Sequence, residues 1–222
     1  MRQDGGVGSF YDCRDPDVRA DAVTAAAASV AAGELVVLPT DTVYGLGADA
    51  FQPAAIAELM RAKGRGREMP VPVLVGSWST IDGLVSDVDR RTRSLVEAFW
   101  PGGLTLVVRH APSLSWDLGD ADGTVAVRMP LHPVAIELLE VTGPMAVSSA
   151  NRHGAPPAQT AAEARRQLGD AVAVYLEDGQ VPGGVASTIV DVTGERPRIL
   201  RLGAIEIDEL RAVVPDIAGG AA

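Results

Sequence analysis

Thr40, Asp41 and Thr42 follow a short apolar run, Leu35-Val36-Val37-Leu38, which Pro39 ends by withholding a backbone donor. Small polar residues at the C-terminal end of a strand stand where an α/β sheet opens into a ligand crevice. The same arrangement recurs along the chain. Arg128 closes the strand-like run Thr124 to Arg128. Ser148-Ser149-Ala150-Asn151 follow Met145-Ala146-Val147, Ser187 opens the run to Val192, and Arg201 lies in the run Ile199 to Leu202. Lys63 and Arg65 share a glycine-containing loop, Lys63-Gly64-Arg65-Gly66-Arg67, of a kind that can wrap an anion. Hydroxyls donate to phosphate oxygens and cations offset charge developing on them, so this set suits a polyanionic ligand without a nucleophilic side chain. Thr, Asp and Gly are also ordinary turn residues, so the stretch from Thr40 to Gly47 reads equally well, by itself, as a capped turn. Gly45 and Gly47 are read as points where the backbone turns sharply or approaches a ligand closely.

The elements that must position these groups alternate between strand and helix. Asp15-Pro16 reads as a helix cap and first residue, with the helix running to Ala32 and stopping at Gly33. Pro53 starts a second helix, and others are predicted at Asp89 to Phe99, Pro133 to Val141, Ala161 to Leu168 and Ile205 to Val214. Strands are predicted at Pro72 to Val75, Leu104 to Arg109, and Val172 to Leu176, besides those named above. Residues 110–123 have no period and read as a loop. Gly102-Gly103 and Gly183-Gly184 are read as turns. The reading is a single α/β domain over 1–222, with its core at about 20–205 and flexible ends at 1–14 and 215–222.

Composition limits the chemistry further. Hydrophobic residues make up 47% of 222, enough for a real core, and no apolar run reaches the length of a bilayer span, so a cytoplasmic protein without membrane contact is expected. Cys13 is the single cysteine, which excludes an internal disulfide and a cysteine-based zinc site, and its place near the N-terminus suggests no role. His110, His132 and His153 share no spacing that would build a metal site. The net charge of −10 repels a phosphate backbone at long range, so any anion site must be local. Lys63 is the sole lysine beside eighteen arginines. Either that is chance, or a compact ammonium is needed there that a planar guanidinium cannot replace. There is no G-x-S-x-G elbow and no G-x-x-x-x-G-K-[ST] loop.

Pro39-Thr40-Asp41-Thr42-Val43-Tyr44-Gly45-Leu46-Gly47, Lys63-Gly64-Arg65, Ser149-Ala150-Asn151, Ser187-Thr188-Ile189-Val190-Asp191 and Arg201 resemble, in order, the motifs of the YrdC-like family of L-threonylcarbamoyladenylate synthases. The resemblance implies an α/β fold with a twisted, largely mixed sheet flanked by helices and a basic cleft. It implies a nucleotidyltransferase that joins L-threonine, bicarbonate or CO2, and ATP into threonylcarbamoyl-AMP and pyrophosphate, with Mg2+ accompanying the ATP. A downstream transferase would carry the group to tRNA as t6A, with tRNA contact by this chain indirect or weak. By the same resemblance Thr42, Arg128, Val147 and Ser187 stand at threonine positions, Val147 through its backbone. Lys63, Arg65, Thr124, Ser149, Asn151 and Arg201 stand at ATP positions, with Lys63 and Arg65 the catalytic pair. Ser148, Pro157 and Gly66 depart from the family's usual proline, serine and proline. Two alternatives are an RNA-binding module of this fold, which the acidic charge opposes, and a carbamoyl-adenylate-forming domain of the hydrogenase-maturation kind, whose additional segments are absent.

Overall fold

The computed structural model of the chain describes residues 8–86, 88–181 and 184–219. Its elements in order are β1 (Ser9–Asp12), α1 (Pro16–Ala31), β2 (Val36–Leu38), β3 (Gly45–Asp49), α2 (Pro53–Lys63), β4 (Val73–Leu74), a single helical turn (Trp78–Thr80), α3 (Ile81–Leu84) and α4 (Arg90–Phe99). Then come β5 (Leu104–Arg109), β6 (Thr124–Arg128), α5 (Pro133–Thr142), β7 (Met145–Ser149), α6 (Ala161–Leu168), a second single helical turn (Gly169–Ala171), β8 (Val174–Glu177), β9 (Thr188–Asp191), β10 (Arg198–Arg201) and α7 (Ile207–Val213). Prolines at the first turn of α1, α2 and α5 cost no hydrogen bond there, which is why these helices begin where the sequence reading put them.

The ten strands form one mixed sheet in the order β1-β8-β2-β3-β7-β4-β6-β5-β9-β10. Side chains alternate between its faces, and the two faces carry separate cores. Val36, Leu38, Met145, Val147, Val174 and Leu176 point toward α1 and α5. Val37, Leu46, Ala146 and Tyr175, one residue out of phase, join the core that contains the apolar faces of α2, α4, α6 and α7. A strand covered on both faces is apolar at every position, as Val36, Val37 and Leu38 are.

Three expectations are corrected here. Gly45 and Gly47 make no turn but lie within β3, and a Cβ there would come within 2.5 Å of Val147 Cγ1 and 2.7 Å of Met145 Cε. The two glycines clear space for the side chains of β7 and Leu38. Residues 9–14 are not loose: β1 pairs in parallel with β8, the Cys13 amide donates to Glu177 O at 2.7 Å, and Cys13 is buried. Burial pushes its thiol up to about 11, so it is an inert core residue. Near the other end Ile217 is buried and the Ala218 amide bonds Pro197 O, so 217–218 is packed as well. Residues 1–7 and 220–222, and Gly183 of the expected turn, lie outside the described residues. Gly184 has φ +58, a turn conformation that favours glycine.

Candidate active site

The loop between β2 and β3 is locked from within. Thr40 Oγ1 donates to Val43 O at 2.6 Å and accepts the Thr42 amide at 3.2 Å, a local hydroxyl turn. With its one proton spent on Val43, Thr40 Oγ1 can only accept from Thr42 Oγ1, 3.1 Å away. Thr42 Oγ1 therefore keeps its lone pairs free, and Arg128 Nη1 donates to it at 2.7 Å. Arg128, at the end of β6, also donates from Nε to Gly102 O at 2.8 Å and from Nη2 to Asp41 Oδ1 at 2.6 Å. A guanidinium has five N–H groups, so two remain on Arg128, one on each Nη. Burial lowers its pKa and the Asp41 charge opposes that shift.

A second cluster faces the first. Arg201 Nε and Nη2 donate to Ser187 O at 3.1 and 2.7 Å, and Nη2 reaches Ser187 Oγ at 3.2 Å. Ser187 Oγ is 2.8 Å from Thr105 Oγ1. Arg65 supplies the third cation. Its Nη2 donates to Met69 O at 2.7 Å and Pro70 O at 3.1 Å, its Nη1 to Ser148 Oγ at 3.3 Å, and its Nε is buried with no partner among the described residues. Partial burial lowers the pKa of both Arg65 and Arg201, opposed at Arg65 by the charge of Glu68, and each is hydrogen-bonded only to neutral oxygens.

These groups line one cleft of about 450 Å³, together with Val147 and Ser149, and no acidic side chain is among its lining residues. The structure thus brings together Thr42, Arg65, Arg128, Val147, Ser149, Ser187 and Arg201. The Val147 amide is not open to a ligand, since it donates to Pro72 O at 2.8 Å. Thr124 lines a neighbouring, mostly apolar cavity of about 490 Å³, and Pro70, Pro72 and Ile189 form the wall between the two.

Lys63 and Asn151 lie behind the cleft wall. Lys63 is 4% exposed, and its Nζ donates to Ser149 O at 2.6 Å, Asn151 O at 2.8 Å, Asn151 Oδ1 at 3.2 Å and Ser149 Oγ at 3.3 Å. The Asn151 amide is spent on Arg152 O and Ala155 O. In this structure Lys63, expected to stand directly on a ligand, braces the turn after β7 from beneath. The ammonium is drawn inward by four oxygens that a sequence cannot show converging. Sequence reasoning also passed over Asp41 as a partner of Arg128, Thr105 as a partner of Ser187, and the Gly102 carbonyl. Asp41 could have been found by asking which carboxylate offsets a buried arginine. Thr105, inside an apolar strand, gave no signal. Among the described residues no group of three or more His, Cys, Asp or Glu could hold a metal ion.

A family profile described as telomere recombination, that of the Sua5/YciO/YrdC proteins, matches residues 28–203. A Mycobacterium tuberculosis protein, provisionally named threonylcarbamoyl-AMP synthase, is 59% identical over 204 residues, 92% of this chain and 94% of that one. The Pyrococcus abyssi threonylcarbamoyl-AMP synthase is 34% identical over 193 residues, 86% of this chain and 57% of its own length. The crystal structure of P. abyssi Sua5 complexed with L-threonine matches with a TM-score of 0.90 at 31% identity, covering 95% of this chain and 62% of that one. Escherichia coli YciO shares the fold, with a TM-score of 0.81 at 21% identity over 91% of this chain and 99% of its own. By the extent of these matches, the chain belongs to the Sua5/YciO/YrdC family.

Proposed function

We propose that this chain is an L-threonylcarbamoyladenylate synthase. The observation that carries the reading is the pair of guanidiniums Arg65 and Arg201, partly desolvated and hydrogen-bonded only to neutral oxygens, in a cleft whose lining has no acid. Cations so placed draw in an anion, and a triphosphate is such an anion. The relatives' name and the threonine-bound neighbour support the second half of the reading.

Threonine's carboxylate takes the two unspent N–H groups of Arg128, and Ser187 faces the same substrate. The amine, once deprotonated, adds to CO2 to give the N-carboxylate. One oxygen of that group bonds to the α-phosphorus of ATP as the bond to the β-phosphate oxygen breaks, and pyrophosphate leaves with the electron pair. Nothing in this step needs a protein nucleophile. The residues hold several anionic groups together long enough for two of them to react, and Arg65 and Arg201 offset charge on the phosphates. The apolar cavity beside Thr124 suits the base and ribose. Mg2+ would accompany the triphosphate and offset its charge.

The product would go to a transferase that acts on tRNA, in the cytoplasm. No helix among the described residues is long and apolar enough to cross a membrane.

The test is pyrophosphate release from ATP and Mg2+. Release that requires both threonine and bicarbonate is the expected result. Release with carbamoyl phosphate in place of both would favour the carbamoyl-adenylate alternative, and RNA binding without any release would favour the binding module. Within the same assay Ser187→Ala is expected to raise the threonine KM about three- to tenfold, the worth of one hydrogen bond, and to leave the ATP KM nearly unchanged. An unaltered threonine titration would remove Ser187 from the threonine site.

A further inference from the structure

We infer that Asp41 is the positioning residue of the threonine site, and that its charge holds threonine affinity below what Arg128 alone would give. The inference rests on the reading of Arg128 as the group that binds threonine's carboxylate.

Asp41 Oδ1 accepts from Arg128 Nη2 at 2.6 Å and from the Leu131 amide at 2.9 Å. One carboxylate oxygen thus ties the arginine to the backbone three residues beyond it. The arginine's rotation is fixed from three sides, by Asp41 at Nη2, Thr42 at Nη1 and the Gly102 carbonyl at Nε. With the plane fixed, the two remaining N–H groups are set before substrate arrives, so little side-chain freedom is lost on binding. The ion pair is well shielded: the side chains of Arg128 and Asp41 are 7% and 18% exposed.

The same contact has a cost for binding. A substrate carboxylate on Arg128 comes to a cation that already has an anionic partner at hydrogen-bond distance. The two carboxylates repel across the guanidinium, and in a shielded site that repulsion is not screened as it would be in water. Arg65 and Arg201 have no carboxylate within ion-pair distance among the described residues. The nucleotide cations thus have no carboxylate at hydrogen-bond distance, Arg65 feeling Glu68 only from farther off, while the threonine cation is offset directly by Asp41.

The other charged groups around Asp41 do not cancel it. Arg201 acts on Arg128 from β10, and His132, beside Leu131, is held 3.3 Å from Asp178 and has its pKa lowered by burial, so the imidazole is neutral near pH 7. Asp41 Oδ2 has no hydrogen bond among the described residues, so an amide nitrogen can replace that oxygen without removing a contact.

Positioning and charge are separable by substitution. Asp41→Asn keeps an Oδ1 that accepts from both Arg128 and Leu131, and removes the charge. It is expected to lower the threonine KM about three- to tenfold, with the ATP KM within twofold. Asp41→Ala removes both functions and is expected to raise the threonine KM at least tenfold, again with little change for ATP. A threonine KM that rises in the Asn variant would overturn the charge argument, and an unchanged KM in the Ala variant would overturn the positioning argument. Should the Ala variant fail to fold, Asp41→Ser, too short to reach both Arg128 and the Leu131 amide, tests the positioning argument in its place, and an unchanged threonine KM there would overturn it. Wild-type enzyme that releases no pyrophosphate with threonine would instead reject the proposed reaction, so the two failures are distinct.

Discussion

Arg128→Ala is expected to raise the threonine KM by at least a hundredfold while the ATP KM stays within a few-fold, and to destabilise the protein by about 3–5 kcal/mol. The two effects have different causes. Substrate affinity falls because both N–H groups offered to the carboxylate are gone. Stability falls because Asp41, largely shielded, keeps its charge and loses its partner, while Thr42 Oγ1 and Gly102 O lose their donor. Removing one member of a shielded ion pair costs more than removing both, so the double variant Arg128→Ala with Asp41→Ala should recover part of the stability and none of the threonine use. Calorimetric unfolding and separate titrations of the two substrates check this. Equal losses for threonine and ATP would show that Arg128 serves the whole cleft.

Lys63→Met is expected to act in the opposite pattern, on stability first and on ATP second. Methionine fills a similar space but leaves Ser149 O and Asn151 O without the donor that reaches them at 2.6 and 2.8 Å. Ser149 O keeps the Asn151 amide at 2.9 Å while Asn151 O is stranded, so a loss of about 1–3 kcal/mol is expected, a drop in Tm of roughly 2–12 °C for a chain of this size. Ser149, which lines the cleft, then shifts, and the ATP KM should rise more than the threonine KM. A variant with an unchanged Tm and a 10²- to 10³-fold lower kcat, about the effect of losing a charge at the reacting centre, would mean that the ammonium swings out to the phosphates.

A pH comparison gives an independent reading of the same group. Burial, with Arg65 adding to it, lowers the Lys63 amine from 10.5 to about 8. Between those values the unfolded chain binds the proton and the folded chain does not, so the wild type should gain stability relative to the Met variant as pH rises through that window.

The helices were legible because their ends are written locally. Pro16, Pro53 and Pro133 sit at first turns, and Asp89 accepts the Thr92 amide at 2.7 Å as a cap ahead of α4. The runs Leu104–Arg109 and Thr124–Arg128 were legible as strands because apolar and β-branched residues dominate them. β1 was missed because Ser-Phe-Tyr-Asp has no pattern of its own and becomes a strand only against β8. β3 was missed because its glycines read as flexibility, whereas they answer to the bulk of Val147 and Met145 a hundred residues later in the sequence. The cleft divides in the same way. Residue types at strand ends showed which groups could meet, as Thr42, Arg128, Ser187 and Arg201 do. The direction in which Lys63 points depends on the carbonyls of a distant turn, and that information is not local.

The strand order has a consequence for how the protein is made. β2, which leads into the Thr40–Thr42 loop, lies between β3 and β8, and β8 is not available until residue 177 has been synthesised. The cleft closes later still, because Arg201 stands at the end of β10. Contacts of such long range slow folding and leave unpaired strand edges while the chain is growing. A nascent or proteolytic fragment that stops before Arg201 therefore holds most of the sheet and an unfinished cleft, and ligand capture is expected only once the chain through Arg201 is in place.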